Sequence, residues 1–363
     1  MFTSLTNTIK YSICMLVIGG VILGCYLFMT SELQPVIWQP DPPQTLEGVY
    51  SKNNRLDALQ PLLPTQGIGP EDLALGPDGM LYTAYENGDI VSFDPHAKDI
   101  NASAKYIHNT QGRPLGLRFN GQGDLVIADA VKGLLKMTSS GKMSVLATHY
   151  LGERLRFVDH LAVGDDGTIY FSDASMRFDM HNFVYDFIET SMTGRIFAFE
   201  PHSKKLTLLM DNLFFANGVA ISQQNDYLLV NETGKARILK YSLTGENAGM
   251  ISIFVDQLPG MPDNIYRDPA GNFWVGLINL RDPLVEHLAP YPFIRRLLGG
   301  IPAHWFKPAQ EYGMVIALDE SGQVFKNLQT SHAYTSITSA LPHEGKLFVS
   351  SLRQDHIAMM ALD

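Results

Sequence analysis

The segment "DHLAVGDDGTIYFS", residues 159–172, reads as two short apolar strands joined by a tight turn. Apolar side chains flank the polar "GDDG" on both sides, which is typical of half-buried strands. Gly167 provides the backbone freedom that such a turn requires. The segment is therefore predicted to form a β-hairpin.

The same pattern occurs five more times along the chain. The other copies are "EDLALGPDGMLYTA" (71–84), "LGLRFNGQGDLVIA" (115–128), "NGVAISQQNDYLLV" (217–230), "DNIYRDPAGNFWVG" (263–276) and "ITSALPHEGKLFVS" (337–350). Their starts are separated by 44, 44, 58, 46 and 74 residues. A period near 44 with about four strands per unit is the signature of propeller blades. We therefore predict an all-β fold, a six-bladed β-propeller over residues 46–363. A β-sandwich with chance similarity between its strands is the alternative.

Two of the spacings are long, which predicts insertions near residues 174–193 and 279–312. Residues 280–306 of the second insertion read as short amphipathic helices broken by proline. They would cap the channel, rest on the membrane, or simply connect two strands. Only 18 residues follow Gly345, too few for a full blade. A strand within "LEGVYSK" (46–52) is therefore predicted to complete the last blade and close the ring.

The N-terminus predicts a membrane anchor over residues 1–31. From Tyr11 to Ser31 there are 21 residues without charge, roughly 30 Å of helix and about one bilayer core. Lys10 precedes this run, so the positive-inside tendency places the propeller on the extracytoplasmic side of a single-pass protein. A lipoprotein processed at "ILGC" (22–25) is the alternative. Residues 32–45 are rich in proline and are predicted to be a stiff linker.

Charge and cysteine content exclude several classes of function. The formal net charge is −10 with no basic stripe, which argues against nucleic acid as a partner. Both cysteines lie in the first 30 residues. The predicted propeller therefore has no disulfide, no Cys-ligated zinc and no Cys nucleophile.

The first residue of each repeat occupies the phase that faces the channel at the start of the innermost strand. These residues are Glu71, Leu115, Asp159, Asn217, Asp263 and Ile337. Three carboxylates crowded on one axis would repel one another or bind protons unless a cation joins them. Oxygen donors without cysteine favour Ca²⁺, while Mg²⁺ and Mn²⁺ stay open. Within "MPDNI" (261–265), Asp263 would then be a ligand and Asn264 a ligand or its neighbour. Turn capping by these Asp and Asn residues is the alternative.

Five segments carry a family resemblance: "GPEDLAL", "RFVDHLAVGDDGTIYFSDAS", "LFFANGVAIS", "VNETGKARILKY" and "LPGMPDNIYRDPAGNFWVGL". With them, roughly residues 60–363 resemble the strictosidine synthase-like family of six-bladed propellers, especially its membrane-anchored members. The related gluconolactonases and paraoxonases hydrolyse lactones and aryl esters with a Ca²⁺ in the channel. The resemblance implies that Glu71, Asn217 and Asp263 are metal ligands. Asp159 stands where the family usually has Asn, and His160 stands where Asp usually follows.

The resemblance implies a membrane-anchored, Ca²⁺-dependent hydrolase of lactones or aryl esters. Asp263 and His160 are the candidate bases that would activate water. Two departures favour the alternative, a non-catalytic binding propeller with a structural Ca²⁺. Paraoxonases have a catalytic His at the place of Leu115, and strictosidine synthase has its catalytic Glu near the place of Thr338. Strictosidine synthase activity is therefore not expected.

Overall fold

In a computed structural model of the chain, the described residues are 2–64, 66–307 and 310–362, with side chains from Lys10 onward. These residues form six antiparallel sheets of four strands each, arranged as the blades of a propeller. The predicted fold and blade count are confirmed.

Within each of the first five blades the strands run outward from the channel in chain order. The strands are β1 (Gln60–Leu62); β2 (Leu73–Leu75), β3 (Leu81–Ala84), β4 (Asp89–Phe93) and β5 (Lys105–Asn109) in blade one; β6 (Pro114–Phe119), β7 (Leu125–Asp129), β8 (Gly133–Met137) and β9 (Met143–Ala147) in blade two; the separate hairpin β10 (His149–Tyr150) and β11 (Glu153–Arg154); β12 (Val158–Val163), β13 (Ile169–Asp173), β14 (Gly194–Glu200) and β15 (Lys205–Leu213) in blade three; β16 (Ala216–Ile221), β17 (Tyr227–Glu232), β18 (Arg237–Ser242) and β19 (Ile251–Val255) in blade four; β20 (Gly260–Arg267), β21 (Phe273–Leu280), β22 (Gly313–Leu318) and β23 (Val324–Thr330) in blade five; and β24 (Ile337–His343), β25 (Lys346–Ser351) and β26 (Ile357–Ala361) in blade six.

The described α-helices lie outside the blades. They are α1 (Phe2–Thr30), α2 (Val184–Glu189), α3 (Pro283–Leu288) and α4 (Pro292–Leu298). Short 3₁₀ turns span Gly48–Tyr50, Arg55–Ala58, Asn101–Ser103, Thr233–Lys235 and Ala303–Trp305. Both α3 and α4 begin with proline, whose fixed φ and missing N–H suit the first turn of a helix.

The ring is closed by β1, so the predicted closing strand at residues 46–52 is wrong. β1 pairs antiparallel with β26 and is the outermost strand of blade six. Its Pro61 is tolerated because an edge strand needs no N–H on its outer side. Gly48–Tyr50 forms a 3₁₀ turn instead, and the Tyr50 ring is buried in the core between blades four and five. Burial of that ring and a hydrogen bond from Gln329 Nε2 to the Tyr50 carbonyl (3.0 Å) hold the turn against blade five instead of blade six.

The hydrophobic core lies between the faces of adjacent blades. Each of six apolar clusters draws its buried residues from two neighbouring blades, so every blade packs on both sides. A seventh cluster lies at one mouth of the channel, where Leu115, Phe157, Phe214 and Phe215 meet. This last cluster is the part of the core that lines the candidate site.

Both insertions project from the same end of the propeller. One lies between β13 and β14 and carries α2; the other lies between β21 and β22 and carries α3 and α4. Because the strands of each blade alternate in direction, the connection from the second to the third strand lies at the same end of the propeller in every blade. The insertions are therefore neighbours above the same channel mouth, as their sequence positions predict.

The N-terminal helix is long and apolar enough to cross a membrane. Its Lys10–Thr30 portion has 21 residues and a mean hydropathy of 2.3, and none of that window is buried against the protein. The segment for which the sequence predicts an anchor is therefore an apolar helix, and its last turns contact α4.

Candidate metal and substrate site

A cavity of about 890 Å³ opens at the end of the channel that carries both insertions. Its polar lining includes the predicted residues Glu71, Asp159, Asn217 and Asp263, which come from four different blades. Its walls are mostly aromatic and aliphatic: Trp38, Leu115, Phe157, Met180, Phe183, Phe187, Phe214, Phe215, Met261, Leu280, Leu284, Leu288, Leu298 and Phe306. The structure therefore brings four of the predicted ligands into one apolar pocket.

Irregularities in the innermost strands aim these side chains at the axis. The pairing register shifts between Val158 and Leu161 in β12 and between Pro262 and Ile265 in β20. A β-bulge of this kind bends the strand and re-aims a side chain, and bulges recur beside functional sites. Asp159 and Asp263 lie within these two shifts. Sequence periodicity alone does not reveal a bulge, because it assumes strict alternation.

Several buried oxygens at the site have no hydrogen-bond partner among the described residues. They are Asn217 Oδ1, Asp263 Oδ1 and Asn264 Oδ1. A buried unsatisfied oxygen is costly, and most native structures avoid it. Carboxylate and amide oxygens are also the donors that a hard divalent cation prefers. The unpartnered oxygens therefore fit a bound cation of the Ca²⁺ type.

The carboxyl groups at the cavity are electrostatically crowded. Burial raises the pKa of Glu71 to about 7, partly opposed by Arg113 and reinforced by Asp72. Burial raises the pKa of Asp159 well above its usual value, and Glu71 adds to the effect. Burial likewise raises the pKa of Asp263 well above its usual value, with Glu71 and Asp159 as the next contributions. This crowding favours protonation of the three groups, or the binding of a cation in place of the protons.

Arg113 is a residue of the candidate site that sequence reasoning missed. Its Nη2 donates to Glu71 Oε2 at 2.9 Å, and its Nη1 donates to the Gly69 carbonyl at 2.8 Å. The ion pair is almost completely buried. Across the described residues, the carboxylates of Glu71, Asp159 and Asp263 do not each bring an oxygen within 4.8 Å of the others. The three carboxylates therefore form an open arrangement in which Arg113 holds Glu71.

His160 does not line the cavity. The Val219 backbone N–H donates to His160 Nδ1 at 2.9 Å. The His160 Nε2 lies 3.6 Å from Asp72 Oδ2 and 3.0 Å from Arg118 Nη2. Burial, aided by Arg118, lowers the pKa of His160. The His160 ring is fully buried and is not part of the cavity lining, so it does not contact the space in which a substrate would bind.

Asn264 lies one position behind the cavity lining. Its Nδ2 donates to the Glu71 carbonyl at 3.3 Å, and that carbonyl also accepts from Thr338 Oγ1 at 2.7 Å. Thr338 and Asn264 therefore hold the backbone at Glu71 from two other blades. Leu115 does line the cavity and is buried. An apolar side chain thus occupies the position at which paraoxonases have a catalytic His.

Comparisons with known proteins agree with this architecture. A profile described as "Strictosidine synthase" matches residues 159–246, and one described as "Strictosidine synthase-like, N-terminal" matches residues 48–93. The chain is 30% identical to the adipocyte plasma membrane-associated protein of Salmo salar, over 97% of this chain and 90% of that protein.

Two solved structures share the fold. A gluconolactonase from Xanthomonas campestris aligns with a TM-score of 0.61 at 17% identity, covering 91% of this chain and 98% of that one. Regucalcin, a calcium-binding protein from Agrobacterium tumefaciens, aligns with a TM-score of 0.55 at 12% identity, covering 90% and 96%. The chain is also 33% identical to the protein STRICTOSIDINE SYNTHASE-LIKE 6 of Arabidopsis thaliana, over 82% of this chain and 81% of that protein. Given the propeller and this similarity, the chain belongs to the strictosidine synthase-like family and is similar to adipocyte plasma membrane-associated protein.

Proposed function

We propose that the protein is a membrane-anchored hydrolase of lactones or aryl esters that uses a Ca²⁺ ion in the propeller channel. The observation that carries this proposal is that four residues with side-chain oxygens, from four different blades, line one large apolar cavity. The fold shared with a gluconolactonase and with a calcium-binding propeller supports the reaction class and the metal.

Glu71, Asp159, Asn217 and Asp263 would hold the metal, and Asn264 would support it from behind. When bound, Ca²⁺ polarises an ester carbonyl and stabilises the negative charge that develops on its oxygen. Arg113 fixes Glu71 in place, because its guanidinium is itself tied to the Gly69 carbonyl.

Asp263 is the residue that we propose as the base. Its carboxylate lines the cavity, and its Oδ1 has no hydrogen-bond partner among the described residues, so this oxygen is available to accept a proton. It would take the proton from water as the water oxygen bonds to the carbonyl carbon, and return it to the alcohol oxygen when the ester bond breaks. His160 is assigned a positioning role, because its contacts place it beside Asp72 and behind the cavity. The apolar walls would hold the organic part of the substrate and exclude bulk water.

We further propose that the propeller lies on the extracytoplasmic side of the membrane. Lys10 before the apolar span and Glu32 after it favour this orientation. Protease added to sealed spheroplasts should remove the propeller, and full protection would reverse the orientation.

A second candidate is a binding propeller in which Ca²⁺ only stabilises the blades. Leu115 in the cavity wall and the burial of His160 favour it, since neither position offers a second base. The experiment that separates the two is a panel of lactones and aryl esters assayed with Ca²⁺ or with a chelator. The hydrolase predicts turnover that requires Ca²⁺ and is lost in Asp263→Asn at saturating Ca²⁺. Asp211→Asn, an exposed carboxylate outside the cavity, is the matched control. Ca²⁺ binding without any turnover would favour the binding propeller.

A further inference from the structure

The linker at residues 32–45 is fixed to both insertions. Glu189 Oε2 of the first insertion accepts a hydrogen bond from the Gln34 backbone N–H at 2.7 Å. The buried guanidinium of Arg295, in α4 of the second insertion, donates to the Val36 carbonyl. The proline-rich composition predicts a stiff linker, and these contacts in addition hold that linker against both insertions at the mouth of the cavity.

The membrane helix itself packs against α4. The Phe28 and Phe293 rings lie 5.7 Å apart between centroids, and the Arg296 guanidinium lies 4.1 Å from the centre of the Phe28 ring. A Cβ added at Gly300 would lie 2.5 Å from the Leu27 carbonyl oxygen. The chain therefore approaches α1 at Gly300 more closely than any side chain would permit.

The opposite side of α4 lines the cavity. Arg295 and Leu298 belong to the cavity wall, while Phe293 contacts the membrane helix. Phe28 lies two residues before the end of the apolar span at Thr30, about 3 Å along the helix axis. Phe293 therefore lies at the level of the membrane interface, within one short helix of the cavity.

Large apolar side chains around this contact are exposed. Phe293 is 64% exposed and Trp305 is 70% exposed. Others on the same insertion and on the linker are Leu284, Tyr291, Ile294, Val36 and Ile37. Exposed apolar patches of this kind mark interaction surfaces, and Trp and Tyr favour the membrane interface. Arg296 beside them can extend its charge toward lipid phosphate.

We propose that the mouth of the cavity is docked on the bilayer in which α1 is embedded, with Phe293 and Trp305 in the interface. The bilayer is the occupant of this surface because the surface is continuous with α1 through Phe28 and Phe293. The cavity then faces the lipid phase and takes substrates dissolved in it. This second statement rests on the proposed hydrolase function, whereas the docking does not.

The docking is tested with the full chain in phosphatidylcholine vesicles, with Cys14→Ser and Cys25→Ser as background. A single cysteine at Phe293, at Trp305 or at Met250 carries an environment-sensitive fluorophore. Met250 is the control, because it is 59% exposed but lies in the turn between β18 and β19 at the opposite end of the propeller. Labels at the first two sites should show emission at shorter wavelength and quenching by nitroxide lipids. Behaviour identical to that of the Met250 label would overturn the proposal.

Gly300→Leu tests the role of the α1–α4 contact. The new side chain cannot fit beside the Leu27 carbonyl, so the labels at positions 293 and 305 should lose most of their quenching. Gly24→Leu is the control, since a Cβ there meets nothing within 4 Å. Unchanged quenching in Gly300→Leu would show that this contact does not set the docking.

The substrate consequence has a separate readout. Phe293→Ser and Trp305→Ser lie outside the cavity wall, so hydrolysis of a water-soluble aryl acetate should be unchanged. Hydrolysis of a long-chain lactone dissolved in the vesicles should fall severalfold. An equal rate on the lactone contradicts delivery from the bilayer. If neither substrate is hydrolysed by the parent, the proposed function fails while the fluorescence result still decides the docking.

Discussion

Glu71 and Asp72 are adjacent acids with opposite environments. Asp72 accepts hydrogen bonds from the Leu117 N–H at 2.9 Å, Arg118 Nη1 at 2.7 Å and Ser339 Oγ at 2.8 Å. Burial alone would raise the pKa of Asp72, but Arg118 and His160 outweigh it and hold that pKa well below its usual range. Among the described residues the Glu71 carboxylate has the single hydrogen-bond partner Arg113, and burial raises its pKa to about 7.

The same division occurs in blade three. His160 is bonded within the protein, whereas its neighbour Asp159 faces the cavity with a raised pKa. The comparison separates two kinds of buried polar residue. Those with complete hydrogen bonding join the blades, and those with incomplete bonding are available for a ligand.

The largest expected effect is the loss of stability in Asp72→Asn. The change removes the charge opposite Arg118 and leaves a mostly buried cation, 16% exposed, without its ion-pair partner. Breaking a buried ion pair from one side costs roughly 3–5 kcal/mol. Urea unfolding should show this loss with Ca²⁺ and with chelator alike. Asp211→Asn, which is exposed, should stay within about 0.5 kcal/mol of the parent. If Ca²⁺ restored the stability of the Asp72→Asn variant, Asp72 and Glu71 would both act through the metal, and the distinction between them would be wrong.

Asp263→Asn should act mainly through the metal. Without Ca²⁺ the variant is expected to be as stable as the parent or more stable, because one member of a repelling acid group is gone. Its Ca²⁺ affinity should fall at least about tenfold, ~1.4 kcal/mol, because one formal charge opposing the cation is lost. Thermal unfolding at increasing Ca²⁺ concentration measures both the stability without Ca²⁺ and the Ca²⁺ affinity. A large loss of stability in the presence of chelator would show instead that Asp263, like Asp72, joins the blades without the metal.

The smallest expected effect is on pH dependence. A carboxyl with a higher pKa in the folded state binds protons more tightly when folded, so it favours folding at low pH and loses that contribution as pH rises. For Glu71 the window runs from its usual 4.5 to about 7. Ca²⁺ displaces these protons, so the stabilisation by Ca²⁺ should grow as pH rises through this window and level off above it. In Glu71→Gln the stabilisation by Ca²⁺ should depend less on pH. A stabilisation by Ca²⁺ that increases as pH falls would contradict this expectation.

The repeats predicted the six blades because each copy carries the same local information, a hairpin with its turn. They also placed Glu71, Asp159, Asn217 and Asp263 on one axis, since equal phase in equivalent blades means equal position. The closing strand was assigned incorrectly because β1 has only three residues and contains Pro61, so it shows no alternation.

The roles of Arg113 and His160 could not be predicted from the sequence. Both depend on contacts across blades, such as the bond from Val219 N–H to the His160 ring. A bulge at Asp159 also breaks the alternation from which the direction of its neighbour would be inferred. The fixing of the linker depends on Arg295, which lies 259 residues from Val36 along the chain.

The central claim is that Ca²⁺ binds where the incompletely bonded residues meet. Calorimetric titration of Ca²⁺ into the full chain in nanodiscs, after chelator treatment, tests it most directly. The account predicts one site per chain, strongly weakened in Glu71→Gln and Asp263→Asn and unchanged in Asp211→Asn. No heat of binding in the parent, or equal affinity in all four proteins, would contradict it.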